Sequence, residues 1–517
     1  MILIDTATLA LRDFPNSDQR YAILSHTWGS SSDEVTYAEM ISAERSAETM
    51  AKPGYDKIVK TCEIARTSYN LPFAWVDTCC INKASSAELS EAINSMYRWY
   101  KDAWVCFAHL SDVTDSKLSF HQSRWFSRGW TLQELIAPKD LVFFDCGWEF
   151  RGTKKTMATH ISMITGIPSQ ILDHTTELSE IPVAQRFSWA STRETTREED
   201  CAYSLLGIFD INMAMLYGEG PKAFIRLQEQ ILSQGADESL FLWNDLKTTQ
   251  KFTGLLAPSP ACFREMRTII AEPTFTQRES YMTNRGIRLK LGLAWDDETG
   301  LAILPVKHSF GWNGKPAGVY LRRVGLDNFV RALPQECPIV KGKRMYTVLT
   351  AMKSLTVSQS KKIADNAINV VAPREVSVLA VEPFGAWDPS SQLLYATHTS
   401  AFLGYVVFKK DRYPPFAIVF FFEHNTWSTA VVEEERWSTI QPNFYSHYNY
   451  NRSELKHQDS VKGDIKLAYI KGPHLTAISV HMWYRYSAER PHIEIRTVDE
   501  KGSTPGESAN WMQYPTS

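Results

Sequence analysis

The chain has 517 residues, of which 44% are hydrophobic and 22% charged, and its net charge is −3. At roughly 150 residues per domain this length implies two to four domains, with ample chain to bury cores without disulfides. The near-neutral balance argues against a general nucleic-acid binder, which carries a strong basic excess, while leaving room for a local basic pocket.

Eight cysteines are scattered along the chain with no Cys-x-x-Cys pair, so neither a zinc ribbon nor a thioredoxin-type site is expected. Cys62, Cys79, Cys80, Cys106, Cys146 and Cys201 mostly lie inside apolar runs. They read as buried free thiols of a reducing compartment. Residues 1–14 lack a basic leader followed by an apolar stretch. The most apolar run, 416–422, is too short to span a bilayer as a helix. A cytoplasmic protein without a membrane span is expected, in which the sequon Asn451-Arg452-Ser453 is chance.

From residue 21 to about 145 two periods alternate. The apolar run 21–25 reads as a strand, and Tyr55, Ile58, Val59, Cys62 and Tyr69 then recur at helical spacing. Residues 73–78, after Pro72, form a compact buried-strand run. Ser85-Ser86-Ala87-Glu88 reads as a capping box, with Ser85 accepting from a free backbone N–H and Glu88 reaching back. The helix it opens places Leu89, Ile93, Met96, Tyr97 and Tyr100 on one face. Residues 104–110 predict a strand, 130–136 a helix ended by Pro138, and 141–145 a further strand.

Such alternation predicts an α/β fold, a parallel sheet covered by helices with right-handed crossovers. In open sheets of this kind the ligand crevice lies outside the carboxyl ends of the strands. Ser25, His26, Trp28 and Gly29 follow the first strand. Asp77, Cys80 and Asn82 end or follow the second, and His109 and Asp112 follow the third. All are expected on one rim.

Residues 161–234 are mainly helical in pattern, with Phe224, Leu227, Ile231 and Leu232 in one apolar stripe. The charged run 193–200 reads as a solvated helix face, and Arg186 and Asp200 are expected as a buried pair behind the pocket. After about 254, short β-branched and aromatic runs at close intervals predict an antiparallel sandwich or barrel. The resulting domains are 1–150 (α/β), 151–240 (helical extension), 255–500 (β-rich) and 501–517 (a loose tail). Strand residues such as His481-Met482-Trp483-Tyr484 suit a recognition surface as readily as a core. No phosphate-binding loop is present, since Gly311-Trp312-Asn313-Gly314-Lys315 has the wrong spacing.

Three segments carry the polar residues that a core has no use for: Tyr21-Ala22-Ile23-Leu24-Ser25-His26-Thr27-Trp28-Gly29, Ala74-Trp75-Val76-Asp77-Thr78-Cys79-Cys80-Ile81-Asn82, and Arg124-Trp125-Phe126-Ser127-Arg128-Gly129-Trp130-Thr131-Leu132-Gln133-Glu134. Together they resemble the heterokaryon-incompatibility (HET) domain of filamentous fungi over 21 to roughly 145. The Ser188-Trp189-Ala190, Arg197-Glu198-Glu199-Asp200 and Tyr217-Gly218-Glu219-Gly220-Pro221 elements resemble its companion region, and the β-rich remainder resembles an accessory domain. Lys83 stands where the family commonly has Gln, so no role passes to that side chain. The resemblance implies a cell-death effector of non-self recognition and remote kinship with TIR domains, hence a flavodoxin/TIR-like sheet. Many TIR domains cleave NAD at the nicotinamide–ribose bond with a glutamate. Fold kinship is weak ground for chemistry, so each residue is weighed by its own type.

Glu134 is the first candidate: a carboxylate stabilises the oxocarbenium-like cation of N-glycosidic cleavage, as in glycoside hydrolysis. Its plain alternative is a helix-surface carboxylate, or a structural pair with Arg124 or Arg128. Asp77, at a strand end, either orients the substrate or caps the next segment. Gly29 permits close backbone approach, and Trp28 either stacks on a base or anchors the core. A Ser25–His26 dyad is disfavoured because neighbouring strand residues face opposite ways. Arg124 and Arg128, if helical, share a face and suit a pyrophosphate clamp or a surface ion pair. Ser25, His26, Trp28, Gly29, Cys80, Asn82, Arg124, Arg128, Trp130 and Gln133 complete the expected substrate site around Glu134 and Asp77. The expected activity is NAD glycohydrolysis with no cofactor and no metal. Its partners would be a nucleotide and, through self-association or an incompatibility partner, another protein, but not nucleic acid. The alternatives are a non-catalytic adaptor, or metal-dependent phosphodiester chemistry on Asp77, Asp112 and Glu134.

Overall fold

The computed structural model describes residues 1–441 except 16–17, 43, 115–119, 236, 273–279, 297, 325–326, 342–343, 397–400, 412 and 424–425. Beyond 441 it describes the strands at 458–459, 464–471, 476–483 and 492–499. The sequon at 451–453, Tyr484 and the tail from 501 lie outside the described residues. The chain divides into two compact units. The first comprises 1–245, 256–277 and 306–315, and the second 246–255, 278–305 and 316–517.

In the first unit, seven strands form one sheet: β1 (Ile2–Asp5), β2 (Leu11–Asp13), β3 (Tyr21–His26), β4 (Phe73–Trp75), β5 (Val105–His109), β6 (Leu141–Phe144) and β7 (Phe150–Thr153). Their order is β2-β1-β4-β3-β5-β6-β7. The four central strands β4, β3, β5 and β6 are parallel. Every residue of β3, β5 and β6 is buried, which explains why they read as continuous apolar runs. The antiparallel strands β1, β2 and β7 that flank them are too short to leave a period in the sequence. Numbered by chain order, the parallel strands run 2-1-3-4, so the connection changes direction between β3 and β5. The carboxyl ends of those two strands mark the crevice of a doubly wound sheet.

Helix α1 (Pro53–Tyr69) opens with proline in its first turn and closes on Asn70 in the left-handed conformation, φ 51°, the usual start and stop chemistry. Helix α2 (Ser86–Asp102) buries Ala92, Ile93, Met96, Trp99 and Tyr100, and Trp99 and Tyr100 pack on Trp75 at 5.6 and 5.9 Å. Its capping box is half formed. Ser85 accepts from Glu88 N, but the Glu88 carboxylate takes a bond from Asn82 Nδ2 at 3.2 Å instead of reaching back.

Helix α3 (Thr131–Ile136) has all six residues buried. Its last carbonyls meet the buried Lys154, whose Nζ donates to Leu135 O at 3.1 Å and to Pro138 O. A cation there opposes the partial negative charge of the helix end. The helix does not extend back over Arg124 and Arg128. Arg124–Ser127 is a single 3-10 turn and Arg128 is extended. Ser123 Oγ and the Asp112 carboxylate take the turn's free N–H groups, and Gly129 N pairs with Glu194 O at 2.9 Å. The two arginines therefore share no helix face.

Helix α4 (Val183–Ser188) and helix α5 (Lys222–Gln234) follow, and α5 buries the Phe224, Leu227, Ile231 and Leu232 stripe. The expected Arg186–Asp200 pair is absent. Arg186 donates to Ile208 O at 3.1 Å and lies over the Phe209 ring, while Asp200 accepts from Tyr217. All eight cysteines are free thiols; Cys62, Cys79, Cys80, Cys106 and Cys262 are buried and Cys146 is exposed.

Strands dominate the second unit. Gly286–Asp296 and Met345–Ala351 pair antiparallel along seven residues, and Asn328–Ala332 joins the latter in parallel. Two further sheets share one apolar core, built from Ile368, Val370 and Leu394 on one and Phe402, Phe416 and Phe420 on the other. Face-to-face packing of mainly antiparallel sheets makes a sandwich. The helix Glu434–Ile440 covers the outer face of one of them through Trp437 and Ile440. An α/β parallel sheet with helices is thus followed by a mainly β region. Among the described residues no helix is long and apolar enough to cross a membrane.

Gly54 fixes where α1 begins. A Cβ there would lie 2.6 Å from Asp33 O and 2.9 Å from Glu34 Cα. Gly54→Ala should therefore lower stability by about 1–3 kcal/mol, as overpacking does, seen as a lower denaturant midpoint with an unchanged slope.

Candidate functional site

Ser25 and His26 are neighbours on β3 and face opposite sides of the sheet, and each organises its own cluster. Ser25 is fully buried, and its Oγ donates to Glu134 Oε2 at 2.5 Å. The same oxygen accepts from Trp125 Nε1 at 2.8 Å. Tyr100 donates to Leu24 O at 2.9 Å and also bonds the Glu134 carboxyl. Beyond Glu134 stands Arg193. Its Nη1 donates to Arg128 O at 2.8 Å and to Thr131 Oγ1 at 2.9 Å, and its Nε to Trp189 O at 3.3 Å. Its Nη2 is buried with no hydrogen-bond partner.

Burial pushes the Glu134 carboxyl up to about 8, with the Asp77 charge adding to it, against the bonds from Ser25 and Tyr100 and the charge of Arg193. The group is therefore mostly protonated at neutral pH. Burial draws Arg193 down to about 9, opposed by Glu134, which leaves its cation in place at neutral pH. Desolvation sets both shifts, and the partial charge pairing limits them.

On the other face, His26 Nε2 is 3.0 Å from Asp77 Oδ1 and its Nδ1 is 2.9 Å from Lys57 Nζ. An ammonium donates only, so Nδ1 accepts and Nε2 carries the proton toward Asp77. Lys57 also donates to Glu34 Oε1 at 2.6 Å, and that oxygen accepts from Gly29 N at 2.8 Å. Trp28 is 46% exposed and donates from Nε1 to Asp77 Oδ2 at 2.9 Å. Lys83 Nζ lies 3.8 Å above its ring. Trp28 is thus a surface residue held in place by polar contacts, and the core-anchor alternative fails. Burial raises the Asp77 carboxyl, but His26, the Lys83 charge and the Trp28 bond outweigh it and hold the group below the usual range.

The two clusters meet at the switch point. Thr27 Oγ1 and Ser111 Oγ, 3.2 Å apart, join the ends of β3 and β5. His109 closes β5, stacked on Trp148 at 4.6 Å. Burial is the main cause that pulls it down to about 4, so it is neutral at physiological pH.

Of the residues singled out from sequence, Ser25 and Glu134 touch, and His26, Trp28, Gly29 and Asp77 form one linked chain on the opposite face. The others make their contacts elsewhere. Cys80 is buried and its Sγ accepts from Val76 N at 3.5 Å. Asn82 caps its own turn and bonds Glu88. Arg124 is exposed, Arg128 donates to Thr196 Oγ1 at 3.2 Å, Trp130 bonds Asp200, and Gln133 is buried against Met96 Sδ. Glu134 is neither a surface carboxylate nor paired with Arg124 or Arg128. Asp112 is occupied by Ser123 Oγ and Arg124 N. The third reading, Asp77, Asp112 and Glu134 as one metal set, therefore lacks convergence, and among the described residues no group of three or more His, Cys, Asp or Glu is placed to hold a metal.

Sequence reasoning missed Tyr100, Trp125, Arg193, Lys57 and Glu34 as members of the site. Tyr100 was findable, because its helical spacing put it on the sheet-facing side of α2. Arg193 was not, because it opens a run of charges in which nothing marks one residue as buried.

Residues 21–122, which hold β3, β4 and β5 of this sheet, match the family model described as heterokaryon incompatibility protein (HET). Over that segment the chain is similar to a HET domain. It is 43% identical over 240 residues to the vegetative incompatibility protein HET-E-1 of Podospora anserina, a match covering 44% of this chain and 17% of that protein. The chain thus spans about a sixth of that relative's length. No solved structure matches the chain significantly.

Two outcomes follow from the buried cluster. Ser25→Ala leaves the Trp125 indole N–H without its acceptor and should cost about 1–3 kcal/mol of stability, read from chemical denaturation. Glu134 is raised from its ordinary value near 4.5, so between about 4.5 and 8 the folded chain holds a proton that the unfolded chain does not. Its contribution is fully present below about 4.5 and is lost as pH rises through about 8. Glu134→Gln lacks this titration, so its melting temperature relative to the parent should rise steadily from pH 5 to pH 9.

Proposed function

We propose that this chain acts in vegetative incompatibility as a cell-death effector of non-self recognition, and that its HET domain binds and hydrolyses NAD or a related nucleotide. The incompatibility role rests on the HET match and on likeness to HET-E-1. The chemical role rests on one observation, the contact between Ser25 and the buried carboxyl of Glu134 at the carboxyl end of β3, beside the sheet's switch point. The parallel-strand order supports kinship with TIR-like sheets.

In this reading the C1′–N bond to nicotinamide breaks, and the bonding pair leaves with the nicotinamide nitrogen. Water then adds to C1′ and releases a proton. The cationic ribosyl centre is what a carboxylate stabilises, and a dry site makes the interaction strong. Glu134 is mostly neutral when the site is empty, so the approach of a cationic ring favours its ionisation. Asp77 and Trp28 at the rim supply a hydroxyl acceptor and a stacking face for the rest of the nucleotide.

The direct test is nicotinamide release from NAD by the full chain, dilute and concentrated, with and without chelator. Turnover should persist in chelator, and kcat/KM should increase with pH to a plateau above about 8. Glu134→Gln should cut kcat by about 10²–10³-fold, the usual loss for one electrostatic group.

One observation favours the adaptor alternative: Glu134 is only 6% exposed and its bonds are all to protein groups. On that reading the cluster holds the fold and the domain signals by self-association. Absence of turnover at every concentration, with killing retained in Glu134→Gln, selects it.

A further inference from the structure

A cavity of about 420 Å³ opens in the first unit away from the rim residues, lined by neither Ser25, Asp77 nor Glu134. Its size falls within the roughly 300–1,000 Å³ of small-molecule sites. Three prolines, Pro221, Pro258 and Pro260, give it flat apolar walls without N–H groups. Five hydroxyls line it as well, from Ser191, Thr195, Thr196, Ser204 and Ser259.

Two of these hydroxyl protons are already committed inward. Ser191 donates to Ser188 O at 2.7 Å and Thr195 to Arg197 O at 2.7 Å. What they present to the cavity is lone pairs, which require a ligand that donates. One cation and one carboxylate line the cavity, Arg193 and Glu198, so there is no surplus positive charge to hold a phosphate. The thiol of Cys201 stays neutral, because burial and then the neighbouring acidic charges push it up to about 12.

We propose that this cavity is a second ligand site, and that it takes an uncharged nucleoside. A flat base lies against the prolines while sugar hydroxyls donate to Ser191 and Thr195. Arg193 connects this site to the first. It lines the cavity and its Nη1 also holds Arg128 O and Thr131 Oγ1 at the start of α3, the helix that carries Glu134. A bound nucleoside therefore braces the segment from which Glu134 projects.

The test is calorimetric titration of the full chain with adenosine, and with AMP as the charged comparison. Saturable adenosine binding at least tenfold tighter than AMP is expected. Ala261→Trp replaces an exposed lining residue with a bulky one and should weaken adenosine binding at least tenfold with an unchanged unfolding midpoint. Thr195→Val removes one acceptor at constant shape and should weaken it several-fold. Ser25→Ala and Glu134→Gln should leave adenosine binding as it is. No saturable binding, AMP binding as tightly as adenosine, indifference to both cavity variants, or loss in Glu134→Gln would each overturn the assignment. Nicotinamide release is a separate readout, so the failure of either idea leaves the other standing.

Discussion

The contact on which the domain depends is a hydroxyl giving its only proton to a carboxyl in a place that water barely reaches. Ser25 is the last residue but one of the central strand, Glu134 belongs to a helix of six residues, and Trp125 completes the hydroxyl's bonding from the turn between them. Three segments far apart in sequence are thereby pinned at one point. A buried polar group is costly unless its bonds are made, so this small network leaves the local backbone little freedom. Tyr100 and Arg193 extend the constraint to α2 and to the helical region that follows the sheet.

The opposite face of β3 is organised differently. There the chain from Glu34 through Lys57, His26 and Asp77 to Trp28 alternates donors and acceptors and ends at solvent. The inner cluster is dry and pairs a mostly protonated carboxyl with one guanidinium, and the outer one is ionic and partly wet. The proposed nucleotide chemistry would draw on both environments, one for the bond that breaks and one for the hydroxyls and base. Their juxtaposition at the switch point is the strongest structural support for a chemical role.

Much of this was legible beforehand. The apolar runs of β3, β5 and β6 are continuous because both faces are covered, so type and order could be read, and with them the rim on which Ser25, His26, Trp28 and Asp77 fall. The short edge strands could not be read, since three or four residues carry no period. Arg124 and Arg128 misled because a spacing of four matters only where a helix continues, and Asp112 and Ser123 divert the backbone into a single turn. Arg186 and Asp200 misled because complementary charge in sequence says nothing about which carbonyl or phenol lies nearer. Arg193 was hidden because the run 193–200 mixes exposed charges with buried ones, Glu199 and Asp200 among them, and its sequence does not tell them apart.

The margins of the seven-stranded sheet bear on how such domains could gather. One margin is β2, three residues long with two of them exposed, and the other is β7, four residues long and carrying Arg151. Borders this brief make poor templates for adding another strand. Extension of one sheet into the next is therefore disfavoured at both margins of this domain.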